Sequence, residues 1–113
     1  MHELSLTENV IAIVKSESEK QGFTRVLEIS LRIGELSGII PDCMREFFPI
    51  AAKGTVAEGA ALAIETVPAA FRCNDCGWEG RFEKHSYSCP VCGGYGVKMT
   101  SGREFYVESI KVE

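Results

Sequence analysis

Four cysteines in two close pairs, Cys73-x-x-Cys76 and Cys89-x-x-Cys92, are the residues of this 113-residue chain best suited to chemistry. Twelve residues separate the pairs, a spacing at which two tight turns each present two thiolates to one tetrahedral ion. Each pair is followed by a glycine, Gly77 or Gly93, which admits the positive-φ turn that aims backbone N–H groups at sulfur. Four thiolates leave the ion no open position, so the site predicts structural zinc rather than catalysis. Iron is the rival, because a tetrahedral set of four sulfurs does not by itself choose between the two metals; the short gap between the pairs favours zinc. The fifth cysteine, Cys43, stands alone and reads as a small buried hydrophobe near a helix.

The amino terminus offers a different chemistry. In an unblocked chain the terminal amine, the amide nitrogen of His2 and its imidazole close fused chelate rings, and such planar nitrogens suit Ni(II) or Cu(II) better than Zn(II). Met1 is expected to persist, because His2 is not a small residue. Taken alone, His2 is an ordinary exposed side chain. His85, between the cysteine pairs, reads as a solvated loop residue.

Around these groups the composition is that of a small globular protein, with 45% hydrophobic and 25% charged residues. Twelve Lys and Arg against sixteen Asp and Glu give a net charge of −4, the wrong sign for holding a polyanion. The cysteine-rich stretch 70–99 is no better, since four thiolates and a dication would leave it slightly negative. The longest apolar runs, Val10 to Val14 among them, fall far short of the ~18 residues of a bilayer span, and the start of the chain lacks a secretory pattern, so a cytoplasmic protein is expected.

The elements that must carry the sites can be read from periodicity. Ser5-Leu6-Thr7-Glu8 has the capping-box pattern and predicts a helix with Leu6, Val10, Ile13 and Val14 on its inner face, stopped by Gly22. Leu27, Ile29, Leu31 and Ile33 alternate with polar residues, a half-buried strand over 25–34. Pro41-Asp42 opens a second helix with Met44, Phe47, Phe48 and Ala51 inward, ending at Gly54. Pro49 inside it costs about 3 kcal/mol, so that helix is expected to be kinked or to start later. Strands are predicted over 61–67, ended by Pro68, and over 105–112, where a break in alternation near Ser109 calls for a bulge. The aromatics of the cysteine stretch, Phe71, Trp78, Phe82, Tyr87 and Tyr95, cannot build a core alone, whereas structural zinc supplies on the order of 10 kcal/mol. The expected fold class is therefore α+β: a small three-stranded sheet packed with two helices, plus an inserted four-cysteine zinc-ribbon unit. The expected domains are 1–69 with 100–113, and 70–99.

Met1-His2-Glu3-Leu4-Ser5-Leu6, Arg32-Ile33-Gly34-Glu35-Leu36-Ser37, Gly54-Thr55-Val56-Ala57-Glu58-Gly59 and the two cysteine knuckles together resemble the HypA/HybF family over essentially the whole chain. The resemblance implies a non-enzymatic nickel metallochaperone of [NiFe]-hydrogenase maturation. Its implied partners are an accessory GTPase and the hydrogenase large-subunit precursor, with no nucleic acid and no membrane, and its implied state is a monomer or weak dimer. It implies Zn(II) as a structural cofactor and Ni(II) as reversible cargo. The implied nickel ligands are Met1 through its amine, His2 through imidazole and backbone, and Glu3 through its backbone nitrogen. Some relatives recruit an acid from the loop after the first strand; Glu35 and Asp42 lie there, but no motif marks either as a ligand, and Glu35 reads as solvating a turn. Unlike some relatives, this chain has no histidine beside either knuckle, and Pro49 departs from the family's uninterrupted helix. The competing reading is a zinc-ribbon docking module with no nickel role of its own.

Overall fold

The computed structural model describes residues 3–81 and 88–113. Helix α1 (Glu3–Gln21) is followed by strand β1 (Val26–Gly34), helix α2 (Pro41–Ala52) and strand β2 (Ala61–Val67). Three short strands, β3 (Ala70–Cys73), β4 (Glu79–Gly80) and β5 (Val97–Ser101), precede the last strand, β6 (Phe105–Val112). The strands form two sheets, one ordered β2-β1-β6 and one ordered β4-β3-β5. In the first, β1 is central, parallel to β2 and antiparallel to β6. The α+β class read from the sequence is what is observed, with the second sheet inserted between β2 and β6.

One face of the first sheet and the inner faces of both helices make the core: Val10, Ile11 and Val14 from α1, Val26, Ile29, Leu31 and Ile33 from β1, Met44, Phe48 and Ala52 from α2. The expected α1 face is rotated. Helix α1 already runs from Glu3, so Ser5 lies within it and not at its cap, and Thr7 and Ile11 point inward while Ile13 is 49% exposed. Thr7 is buried without cost because its hydroxyl donates to the Glu3 carbonyl at 2.6 Å. The expected place of Leu27 in the core is also not observed. A register shift between Val26 and Glu28 opposite β6 turns Leu27 out to 43% exposure and Val26 in. The bulge anticipated near Ser109 is present: Ser30 faces Ser109 and Leu31 faces Val107, leaving Glu108 as the extra residue.

Helix α2 runs from Pro41 through Pro49 to Ala52. Pro49 and Arg45, whose carbonyl loses its helical partner, are both exposed, so that carbonyl is open to water. The shape is elongated, 54 × 26 × 17 Å, and the radius of gyration of 17.9 Å exceeds the ~13 Å of a compact chain this long. No helix among the described residues is long and apolar enough to cross a membrane.

Candidate metal centre

The second sheet exists to hold two turns. Strand β3 ends at Cys73, and Gly77 then turns back with φ 82°, its N–H bonded to the Cys73 carbonyl at 3.0 Å. Across the site Gly93, at φ 73°, does the same to the Cys89 carbonyl at 2.9 Å. An L side chain at either position would meet backbone strain, which is why the glycines follow the cysteines. Within the second turn the Val91 and Cys92 N–H groups point at Cys89 Sγ, at 3.4 and 3.5 Å. The turns are stitched together by Asn74 N–H to the Gly96 carbonyl, 3.0 Å.

These turns bring Cys73, Cys76, Cys89 and Cys92 together, with all four sulfurs within 4.8 Å of one another. Cys73 Sγ lies 3.7 Å from Cys92 Sγ, and Cys76 Sγ lies 3.5 Å from Cys89 Sγ. A tetrahedral ion with metal–sulfur bonds of about 2.3 Å requires sulfurs about 3.8 Å apart, so the cluster fits such an ion. It is the one group of three or more ligand-type side chains so placed among the described residues. Cys73 and Cys89 are buried, Cys76 and Cys92 exposed.

Without metal the thiols differ. For Cys76 the Trp78 N–H favours the thiolate, but burial and the three neighbouring sulfurs outweigh it and push the thiol up to about 12. Burial acts on Cys89 in the same sense, yet the Cys92 and Val91 N–H groups prevail and bring it down to about 7. Cys92 is raised: the Gly94 N–H is overcome by burial and by the sulfurs of Cys73 and Cys89. One knuckle thus holds a ready thiolate, and the set surrenders protons on taking an ion.

Sequence reasoning missed two features near this centre. Asp75 lays its carboxylate over the other turn, so close that a Cβ on Gly96 would stand 2.7 Å from its Oδ2 and one on Gly94 3.1 Å. The run Gly93-Gly94-Tyr95-Gly96 is the signal that could have revealed it. Glu35, read as solvating a turn, instead accepts from the Ala69 N–H at 2.8 Å and from Arg81 Nη2 at 2.7 and 2.8 Å. The Ala69 bond, and then the Arg81 guanidinium, hold its carboxyl below the usual range.

The amino-terminal residues Met1 and His2, and His85, lie outside the described residues. Glu3 is the first residue of α1, and its carboxylate accepts from the Ile40 N–H at 3.3 Å, at the entrance of α2. Asp42 lies exposed in the first turn of that helix, and Cys43 beside it is half-buried.

Fold and site define a small metal-binding protein, in which a helix-covered sheet carries a four-cysteine ribbon. A family model described as hydrogenase/urease nickel incorporation, metallochaperone, hypA matches residues 1–112. The hydrogenase maturation factor HypA of Caldanaerobacter subterraneus subsp. tengcongensis is 42% identical over 114 residues, covering 100% of both chains. That of Geobacter sulfurreducens is 40% identical over 113 residues, again covering 100% of both. Among solved structures, a solution structure of HypA protein superposes with a TM-score of 0.78 at 23% identity, covering 100% of this chain and 97% of the other. The solution structure of the Ni metallochaperone HypA from Helicobacter pylori gives 0.72 at 23% identity, covering 99% and 97%. These two speak to the fold alone. The chain belongs to the HypA family: it is a nickel metallochaperone of hydrogenase maturation, with a four-cysteine site of the zinc type.

Proposed function

We propose that this chain takes up Ni(II) at its amino terminus and passes it toward the [NiFe]-hydrogenase large-subunit precursor, working with an accessory GTPase. Residues 1–69 with 100–113 form the nickel-handling domain and residues 70–99 the zinc domain. The cargo is held by the Met1 amine, the His2 backbone and imidazole nitrogens and the Glu3 backbone nitrogen. The observation that supports this ligand set is the position of Glu3. It is the first described residue of α1, next in sequence to Met1 and His2, and its carboxylate accepts from the Ile40 N–H at the entrance of α2. Square-planar nitrogen donors suit Ni(II), as four thiolates suit Zn(II), and so the two metals are kept apart.

In the ribbon, Cys73, Cys76, Cys89 and Cys92 hold Zn(II), which supplies a structural cross-link and no reaction. The chain's own part there is to orient the sulfurs: Gly77 and Gly93 allow the turns, the Val91 and Cys92 N–H groups steady Cys89, and Gly94 and Gly96 leave room for the Asp75 carboxylate of the first knuckle.

Nickel titration with metal analysis on protein carrying its native amino terminus tests the reading. We expect about one nickel per chain beside a retained zinc. His2→Ala, or an extension that turns the terminal amine into an amide, should lose the nickel and keep the zinc. Equal nickel uptake in all three proteins would refute the amino-terminal site and favour a ribbon that only docks.

A further inference from the structure

The two sheets are joined by two linkers that run side by side. One is Val67–Ala70, leaving β2; the other is Ser101–Phe105, entering β6. Ser101 Oγ donates to the Pro68 carbonyl at 2.9 Å, and Gly102 comes so near Ala69 that a Cβ on it would stand 2.8 Å from the Ala69 Cα. Both linkers are bonded to the loop after β1: Glu35 N–H to the Val67 carbonyl at 2.8 Å, Leu36 N–H to the Gly102 carbonyl at 2.7 Å. The extensive packing between elements otherwise stays within each part, α1 on α2, β1 between β2 and β6, β3 between β4 and β5.

Two adjacent strands crossing one loop define a hinge line. They fix where the ribbon is attached but not its angle about that line, which requires a third point of attachment away from it. Arg81 supplies this point. It follows β4, on the far side of β3 from the linker that enters β6, and reaches back to the Glu35 carboxylate, with one nitrogen straddling both oxygens at 2.7 and 2.8 Å. The same carboxylate accepts from Ala69 in the other linker, so one side chain gathers hinge and ribbon.

We propose that Glu35 and Arg81 form a latch that fixes the angle between the helix-covered sheet and the four-cysteine ribbon. The pair is partly exposed, with side-chain exposures of 38% and 55%, so it can open to water without stranding a buried charge. Closed, it makes one rigid body of a 54 Å molecule and sets the geometry in which the cysteine cluster and the start of α1 meet a partner that touches both. That consequence for delivery rests on the function proposed above; the latch does not.

The test is ¹⁵N relaxation on the full-length, zinc-loaded protein at low ionic strength, read separately for the amides of the two sheets. We expect the wild type to tumble as one body. Glu35→Gln keeps an acceptor for Ala69 but loses the ion pair, and Arg81→Gln loses it from the other side. In both, the ribbon's effective correlation time should fall below that of the helical part while amide dispersion in each part stays native. Since a single nitrogen makes the contact, Arg81→Lys should restore common tumbling, and salt at about 1 M should release it again by screening. Glu35→Gln and Arg81→Gln variants that tumble as one body, or an Arg81→Lys variant indistinguishable from Arg81→Gln, would overturn the latch. Neither outcome depends on nickel, so failure here is separate from failure of the amino-terminal site.

Discussion

Removing the ion from the ribbon should unfold the ribbon and leave the helices standing. Among the described residues of 70–101 only Cys73 and Cys89 are buried, so the sulfurs are the nearest thing this part has to a core. The helical part keeps its own core of residues from α1, β1 and α2, none of which comes from the ribbon. Structural zinc contributes on the order of 10 kcal/mol to folding of such a small unit, far more than its contacts could replace. The helical part loses little. Even if the bonds from the end of β1 and the loop after it, Gly34 N–H to Glu104 and Leu36 N–H to Gly102, both 2.7 Å, frayed with the ribbon, the loss would be about 2 kcal/mol. That lowers its melting temperature by roughly 10 °C. Two signals separate the parts cleanly, because both helices of the described residues lie in one and the only tryptophan, Trp78, in the other. On titration with a strong chelator, Trp78 fluorescence should move to that of a solvated indole, while far-ultraviolet circular dichroism at about 20 °C keeps its helical amplitude. Helical signal lost in step with the tryptophan change would refute the reasoning, for it would mean that the two sheets fold as one cooperative unit.

Two further outcomes follow from the same geometry. Because Cys76 and Cys92 are held protonated near neutrality and Cys89, at about 7, is half ionised, zinc uptake should release at least about two and a half protons from these three thiols. Affinity therefore rises with pH, and competition against a chelator of known affinity between pH 6 and 8 should give a slope of that size or greater; a slope near one would contradict the thiol states described. Where the two sheets join, Gly34→Ala would drive a methyl group into the Gly102 carbonyl and the Arg103 nitrogen, both backbone atoms that cannot turn aside. We expect about 3 kcal/mol of destabilisation from overpacking and the hydrogen bonds it disturbs, measured by urea unfolding of the helical part, and a loss below about 1 kcal/mol would show that the linkers yield.

How much of this was legible depended on how local its cause was. The knuckles were readable because everything they need sits within a single turn of chain: two thiols three positions apart and a glycine to bring the backbone round. The alternation of Ile29, Leu31 and Ile33 likewise announced β1 and the face it buries. Leu27 did not follow, because the shift that expels it arises in the pairing with β6, at the far end of the sequence, and strand periodicity carries no record of a partner's register. The face of α1 was right at Val10 and Val14, with Leu6 packed on the core, and wrong at Ile13 for a related reason: Leu6, Val10, Ile13 and Val14 satisfy helical spacing, but so do Thr7, Val10, Ile11 and Val14, and the partner elements decide between them. A threonine whose hydroxyl is satisfied by its own helix hides its apolar role from any reading that scores residues by polarity.

The ionic features were the least legible. Glu35 and Arg81 are 46 positions apart, and neither belongs to a periodic pattern. What makes them meet is the insertion itself: a ribbon entered from β2 and left toward β6 must cross the loop that follows β1, because β1 lies between those two strands. Glu35 and Leu36 on that loop bond to one linker each, and the Glu35 carboxylate meets the Ala69 N–H and the Arg81 guanidinium that returns from the ribbon. The same loop runs on to Ile40, where the Glu3 carboxylate meets the start of α2. The short irregular stretch from Glu35 to Ile40 thus touches the hinge, the ribbon and the origin of α1. Among the described residues this loop carries the bonds that tie both linkers and the Arg81 guanidinium to Glu35 and Leu36 at one end and the Glu3 carboxylate to Ile40 at the other, so it is pinned by charge and by backbone bonds and is not a free surface turn.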